Sequence, residues 1–255
     1  MVHGSNNWRF DLKLVLATDD GGGPEIFASL QGEGASSGVP CAFIRLSRCN
    51  LACVWCDTAY TWRFDGDERP HRSSVWHDRK ANQVTLSALE AARMIDRFEP
   101  RRLVVTGGEP LLQAAALAEL AALLPEHAIE VETNGTVEPP ARFDAYVDQD
   151  NVSPKLSHSG NPATLALLPP RMRQWASEPR AFFKFVVAEP ADVDEVLFLQ
   201  RVYAISPDKI FLMPEGTDSA TLRARSEWLA PIAEQHGFRL SDRLHIHLYG
   251  DTRGT

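Results

Sequence analysis

The chain of 255 residues carries 26 Lys and Arg against 34 Asp and Glu, a formal charge of −8, with 44% hydrophobic and 24% charged residues. That balance excludes a disordered or collagen-like chain, and the acidic excess argues against a broadly basic nucleic-acid surface, so a small-molecule substrate is expected. Residues 1–10 lack the apolar stretch of a signal peptide and no run of 18 apolar residues occurs anywhere, so no membrane span is expected and the cytoplasm is the expected compartment.

In chain order, residues 1–24 end in the turn-rich Asp19-Asp20-Gly21-Gly22-Gly23-Pro24 and read as an N-terminal extension, whose alternating Leu12, Leu14 and Leu16 allow an added edge strand. Residues 25–255 then form one domain, the default at this length. Leu30-Gln31-Gly32-Glu33-Gly34 sets a carboxylate between two glycines, which suits either ligand contact on a permissive backbone or an exposed turn. Residues 42–47 read as a short buried strand with Arg45 inside it. A charge there is costly unless paired, so Arg45 holds either an anionic group or an internal salt bridge.

Cys49, Cys53 and Cys56 follow at C-x3-C-x2-C spacing, and the remaining cysteine, Cys41, lies eight residues upstream. All four thiols fall in one window, whereas a secreted disulfide framework spreads them over the fold. Zinc and an iron–sulfur cluster compete for the loop. Structural zinc usually needs a second ligand pair, and the nearest histidines, His71 and His77, sit in a polar segment. A four-iron cluster on three cysteines leaves one iron open to another ligand.

Residues 62–84 are polar and read as a surface insertion. Ser87-Ala88-Leu89-Glu90 has capping-box form, and Ala88, Ala91, Ala92, Ile95 and Phe98 recur at helical spacing. Strands are predicted at 102–106, 129–133, 146–152, 182–187 and 209–213, with helices near 114–124, 191–203 and 219–236. Alternating elements of this kind imply a parallel sheet or barrel. Gly107-Gly108-Glu109-Pro110, Glu132-Thr133-Asn134-Gly135, Ser153-Pro154-Lys155 and Met213-Pro214-Glu215-Gly216 each sit at the C-terminal end of a predicted strand, the edge where such barrels assemble sites.

These motifs, together with Trp55-Cys56-Asp57-Thr58 and in this order, resemble the 7-carboxy-7-deazaguanine synthase family of radical S-adenosylmethionine (SAM) enzymes. The resemblance runs from about residue 25 to the C-terminus and implies an α/β fold with an incomplete TIM-type barrel and a mostly parallel sheet. It implies that Cys49, Cys53 and Cys56 bind a 4Fe-4S cluster and that SAM chelates the open iron and is cleaved by an electron from it. The implied reaction converts 6-carboxy-5,6,7,8-tetrahydropterin to 7-carboxy-7-deazaguanine with loss of ammonia.

The resemblance also implies the site. SAM is assigned to Trp55, Cys56, Asp57, Gly107, Gly108, Glu109, Ser153, Pro154, Lys155 and the loop Met213, Pro214, Glu215, Gly216, which departs from the Gln-Pro form of the family. Substrate is assigned to Leu30, Gln31, Gly32, Glu33, Arg45, Thr106 and His247, and Thr58 to a magnesium ion. The tail after His245 resembles members whose last residues close over the substrate. A flavodoxin-like or ferredoxin-like electron donor and a homodimer are expected by the same analogy. The rival readings are another radical SAM enzyme, such as a glycyl-radical activase, and a non-catalytic iron–sulfur electron-transfer protein.

Overall fold

Short runs of branched and aromatic residues build the sheet, and from β4 onward helices follow the strands and cover one face of it. The computed structural model describes residues 12–255, so the polar lead of residues 1–10 lies outside the described residues. The strands are β1 (Lys13–Ala17), β2 (Ile26–Leu30), β3 (Pro40–Leu46), β4 (Gln83–Ser87), β5 (Arg102–Gly107), β6 (Ala128–Thr133), β7 (Val147–Val152), β8 (Ala181–Val187), β9 (Ile210–Pro214) and β10 (Arg239–Leu240). Their order is β10-β9-β8-β7-β6-β5-β3-β1-β4, with β2 also on β3. From β3 through β5 to β10 every pairing is parallel, while β2 and β1 pair antiparallel with β3, and β4 antiparallel with β1. The two end strands, β4 and β10, do not pair, so the sheet curls into an incomplete α/β barrel.

Alternation along the strands separates two faces. Ile44, Leu46, Leu103, Val105, Ile129 and Val131 pack outward in the main core against the helices Ala88–Ile95 and Ala114–Ala122. The intervening residues, Arg45, Thr106, Glu132, Asn151 and Lys184 among them, turn inward and line a cavity. Register brings them level: Arg45 lies beside Thr106, and Glu132 beside Asn151.

The helix starts follow local chemistry. Ser87 Oγ accepts from the Glu90 amide and Glu90 returns a carboxylate to the Ser87 amide at 2.7 Å, a complete capping box. That helix stops at Ile95, one turn short of the expected Phe98. The helix Ser219–His236 starts on an Asp218 cap and stops at Gly237, whose φ of 67° ends it.

The first segment departs from expectation in position. β1 is not at the edge but lies between β3 and β4. β4 takes the edge instead, with Val84 and Leu86 turned to the core and Thr85 exposed. Nor is the segment 62–84 uniformly a surface: Trp62, Arg63 and Phe64 are buried where they fold under the cysteine loop. Among the described residues, no helix is long and apolar enough to cross a membrane.

Candidate active site at the C-terminal edge of the sheet

The loops leaving β3, β5, β6, β7 and β9 converge on one cavity of about 380 Å³. Its floor is the cysteine loop that leaves β3. The Gly-Gly-Glu segment after β5 straps the root of that loop, because Gly108 N–H donates to Leu46 O at 3.0 Å and Glu109 N–H to Arg48 O at 2.9 Å. A methyl group on Gly107 would fall 2.0 Å from Leu46 O, and one on Gly108 would fall 2.2 Å from Arg48 O. Both positions therefore need glycine first because two backbones touch there, before any ligand is considered.

The three thiols of the C-x3-C-x2-C loop all line the cavity, and Cys41 does not. Cys41 is sealed between β2 and β5 with Phe43 and Val104, its thiol donating to Val39 O. Burial pushes Cys49 up to about 12, Cys56 up to about 11, and Cys53 above its ordinary value. Thiols held this way ionise when a metal supplies the positive charge. Among the described residues no three His, Cys, Asp or Glu side chains converge as ligands of a single ion. A four-iron cluster does not need them to, since each thiolate takes a separate iron. The donor set thus fits a cluster better than one metal ion.

Above the cysteines stands a charged wall. Glu33 pairs with Lys184 and, at 2.9 Å, with Arg243 Nε, while Arg243 also bonds Asp57 and the Gly216 carbonyl. Burial alone would raise the Glu33 carboxyl, but Lys184 and Arg243 outweigh it and hold it well below the usual range. Lys184, 6% exposed, is raised above the usual lysine range because the attraction of Glu132 and Glu33 exceeds the cost of its burial. Arg45 donates through Nε to the buried Glu25 at 2.8 Å, and Tyr60 OH donates to the same carboxylate. The salt-bridge reading of Arg45 therefore holds, and the residue still borders the cavity.

On the same wall, Thr106 donates to Glu132 at 2.7 Å. Gln31 is 2% exposed, and its amide is fully engaged: Nε2 donates to Glu130 and Glu132 and Oε1 accepts from the Glu33 amide. Its side chain positions Glu132 rather than waiting for a partner. Opposite, Lys155 bonds Ser153 at 2.8 Å and lies 5.7 Å from the Trp55 ring centre. Trp55 stacks on His158, and its indole N–H is buried with no partner, an orphan donor at the cavity wall.

Of the residues assigned from sequence, Leu30, Gln31, Gly32, Glu33, Arg45, Cys49, Cys53, Trp55, Cys56, Asp57, Thr58, Thr106, Gly107, Gly108, Ser153, Lys155, Met213, Pro214, Glu215 and Gly216 all border this one space. Pro154, Glu109 and His247 do not. Glu109 is fully buried beneath it, accepting from the Leu111 and Asn134 amides and the Thr133 hydroxyl, and burial pushes its carboxyl up to about 6. It braces the end of β6. His247 turns outward to Asp242 and Ser219, and the tail histidine at the cavity is His245, lying 3.9 Å from Glu33.

Lys184, Glu132, Arg243 and the tail residues Asp251 and Arg253 belong to the wall without having been assigned. Lys184 and Glu132 carried the signal that marked Arg45, a charge inside an apolar strand. Arg243 and Arg253 carried none. Arg253 crosses the cavity mouth to lie 3.6 Å over the Tyr60 ring and bonds Asn82 Oδ1 and Thr18 O.

The chain is similar in sequence and fold to known proteins. The Radical SAM superfamily pattern matches residues 43–168. The 7-carboxy-7-deazaguanine synthase of Pyrobaculum aerophilum is 40% identical over 235 residues, covering 90% of this chain and 95% of the relative. That of Halobacterium salinarum is 34% identical over 270 residues, covering 94% and 96%. The crystal structure of QueE from Escherichia coli superposes with a TM-score of 0.64 at 27% identity, over 95% of this chain and all of that one.

Proposed function

The chain belongs to the 7-carboxy-7-deazaguanine synthase family of the radical SAM superfamily, and from that premise we propose that it converts 6-carboxy-5,6,7,8-tetrahydropterin to 7-carboxy-7-deazaguanine. The reaction removes one ammonia and is redox-neutral, so it needs SAM as a reusable radical source and no net oxidant. The observation that carries the proposal is the joining, in a single cavity, of three thiols with a hydrogen-bonding wall of Glu33, Lys184, Glu132 and Thr106. An electron carrier has no use for such a wall.

The residues divide by position. Cys49, Cys53 and Cys56 hold the 4Fe-4S cluster, which when bound supplies the electron that breaks SAM. Trp55, Ser153, Lys155 and the Met213-Pro214-Glu215-Gly216 loop line the SAM side. The Gly107 and Gly108 backbone lies over the cysteine loop, close to where the amino acid end of SAM would reach. Leu30, Gly32, Glu33, Arg45, Thr106, Glu132 and Lys184 line the pterin side. Thr58 presents a hydroxyl oxygen to the cavity, the hard donor a magnesium ion takes alongside waters and the substrate carboxylate. His245, Ile246, Asp251, Thr252, Arg253 and Thr255 of the tail line the cavity. We place the protein in the cytoplasm as a homodimer reduced by a flavodoxin-like or ferredoxin-like donor, with the domain at 25–255 completed by β1 from the segment before it.

The test is anaerobic reconstitution with iron and sulfide, then incubation with reductant, SAM, magnesium and the carboxytetrahydropterin. About four irons per chain and the deazaguanine acid are expected. Replacing Cys49, Cys53 or Cys56 by Ala should abolish iron binding while Cys41→Ala leaves it intact. Cluster formation with no deazaguanine product would refute the substrate assignment, and iron lost from the Cys41 variant would refute the ligand set.

A further inference from the structure

Each of the three site thiols meets one side-chain N–H from outside the cysteine motif. Trp62 Nε1, which can only donate, lies 3.3 Å from Cys56 Sγ. Asn161 Nδ2 lies 3.3 Å from Cys53 Sγ. Its amide orientation is fixed, because Asn161 Oδ1 accepts the Ala52 N–H at 2.9 Å and so the NH2 end must face the sulfur. Asn134 is fixed in the same way: its Oδ1 takes the Thr136 amide and hydroxyl, and its Nδ2 donates to Asn50 Oδ1 at 2.9 Å and reaches toward Cys49 Sγ at 3.9 Å. The donors come from three places in the chain, the segment after the cysteine loop, the loop after β6 and the residues just past the turn Ser157–Ser159 beyond β7. Chain proximity therefore does not explain why there is one for each sulfur.

We propose that Trp62, Asn161 and Asn134 set the reduction potential of the cluster by hydrogen bonding to its three cysteine sulfurs. The inference rests on the reading that these cysteines bind the cluster. Reduction adds negative charge that spreads onto the ligand sulfurs, and an N–H dipole aimed at a sulfur stabilises the reduced form more than the oxidised one. The donors raise the potential, which eases reduction of a cluster that must then pass its electron to SAM. Trp62 and Asn161, at 3.3 Å, carry most of the effect, and Asn134 less, because its longer reach is shared with Asn50. Packing holds the Trp62 indole in this orientation, since it is 4% exposed and the Arg69 guanidinium lies 4.8 Å over its ring. These are positioning residues, which touch the ligands and not the reacting atoms.

The experiment is a potentiometric titration, followed by electron paramagnetic resonance, of the full chain reconstituted with iron and sulfide in the absence of SAM. Trp62→Phe keeps an aromatic ring and removes the N–H. Asn161→Ala removes the second donor. Each variant should retain about four irons, and its oxidised-to-reduced ratio at fixed potential should rise about tenfold, a midpoint about 59 mV lower for this one-electron couple. Asn134→Ala should shift it less. A wild-type chain that takes up no iron would sink the cluster reading itself. If the wild type loads and the Trp62 and Asn161 variants titrate at its potential, the present proposal alone fails. It fails too if neither variant retains iron, since the side chains would then merely support the loop.

Discussion

Arg243 joins three segments that are far apart in sequence, and its removal gives a test of the charged wall. Its Nε holds Glu33, its Nη2 holds Asp57 beside the last cysteine, and its Nη1 holds the Gly216 carbonyl after β9. Replacing it by Met keeps most of the apolar stem and strands two carboxylates. Breaking a buried pair by removing one partner costs about 3–5 kcal/mol, because the remaining charge is left unpaired. Two features pull the figure to the low end. Glu33 keeps Lys184, and the Asp57 side chain is 30% exposed, so water screens much of that leg. A loss of about 3 kcal/mol at neutral pH follows, which for a chain of this size lowers the melting temperature by roughly 6–12 °C. The pH dependence separates charge from packing. Despite burial, Lys184 and Arg243 lower Glu33 and Arg243 lowers Asp57, so their stabilisation is present above the ordinary carboxylate range and lost as pH falls through the lowered values. The gap between wild type and Arg243→Met should be widest above about pH 5 and narrow steadily toward pH 3. Melting curves of both proteins across that range check it. A gap that does not change with pH would show that the variant lost packing alone and that the ion network contributes nothing.

The order of the central strands and longer helices was legible from periodicity because the outward faces of β3, β5, β6, β8 and β9 are apolar and the longer helices each bury one stripe. The cysteine loop and the loops at the strand ends were legible for a related reason: glycine, proline and thiol patterns mark backbone geometry and ligand chemistry locally. What stayed hidden depended on pairing across the sheet. Nothing near Arg243 in sequence announces that Glu33 and Asp57 will be brought to it, and a polar stretch such as 62–84 gives no sign that Trp62 will turn in toward Cys56. Glu109 and His247 show the opposite failure. A motif places a residue beside a site without saying which way it faces, and here hydrogen bonds to the end of β6 and to Asp242 turn these two away from the cavity. Lys184 and Glu132 were legible in principle, as charges in apolar strands must find partners.

Gly107 combines a φ of 133° with contact against β3, so Gly107→Ala should cost more than about 2 kcal/mol and cut the yield of cluster-loaded protein. Iron content and melting temperature read the outcome, and a fully loaded, equally stable variant would refute the contact argument. Asp150 gives a stability effect of opposite sign to that of Glu33. It is 2% exposed, its Oδ2 has no partner, and burial pushes its carboxyl up to about 7. A raised carboxyl is stabilising in its protonated form, so its contribution is full below the unfolded value near 4 and is lost as pH rises toward about 7. Each unit of difference corresponds to about 1.4 kcal/mol, which puts the whole effect on the order of 4 kcal/mol. Asp150→Asn cannot ionise, so relative to wild type it should gain stability from pH 4 to pH 7 and no further above pH 8. Denaturant midpoints at these pH values decide it: a difference that stays flat would mean that Asp150 is hydrated and ionised in the folded protein, and that the interior behind β7 is wetter than its packing indicates.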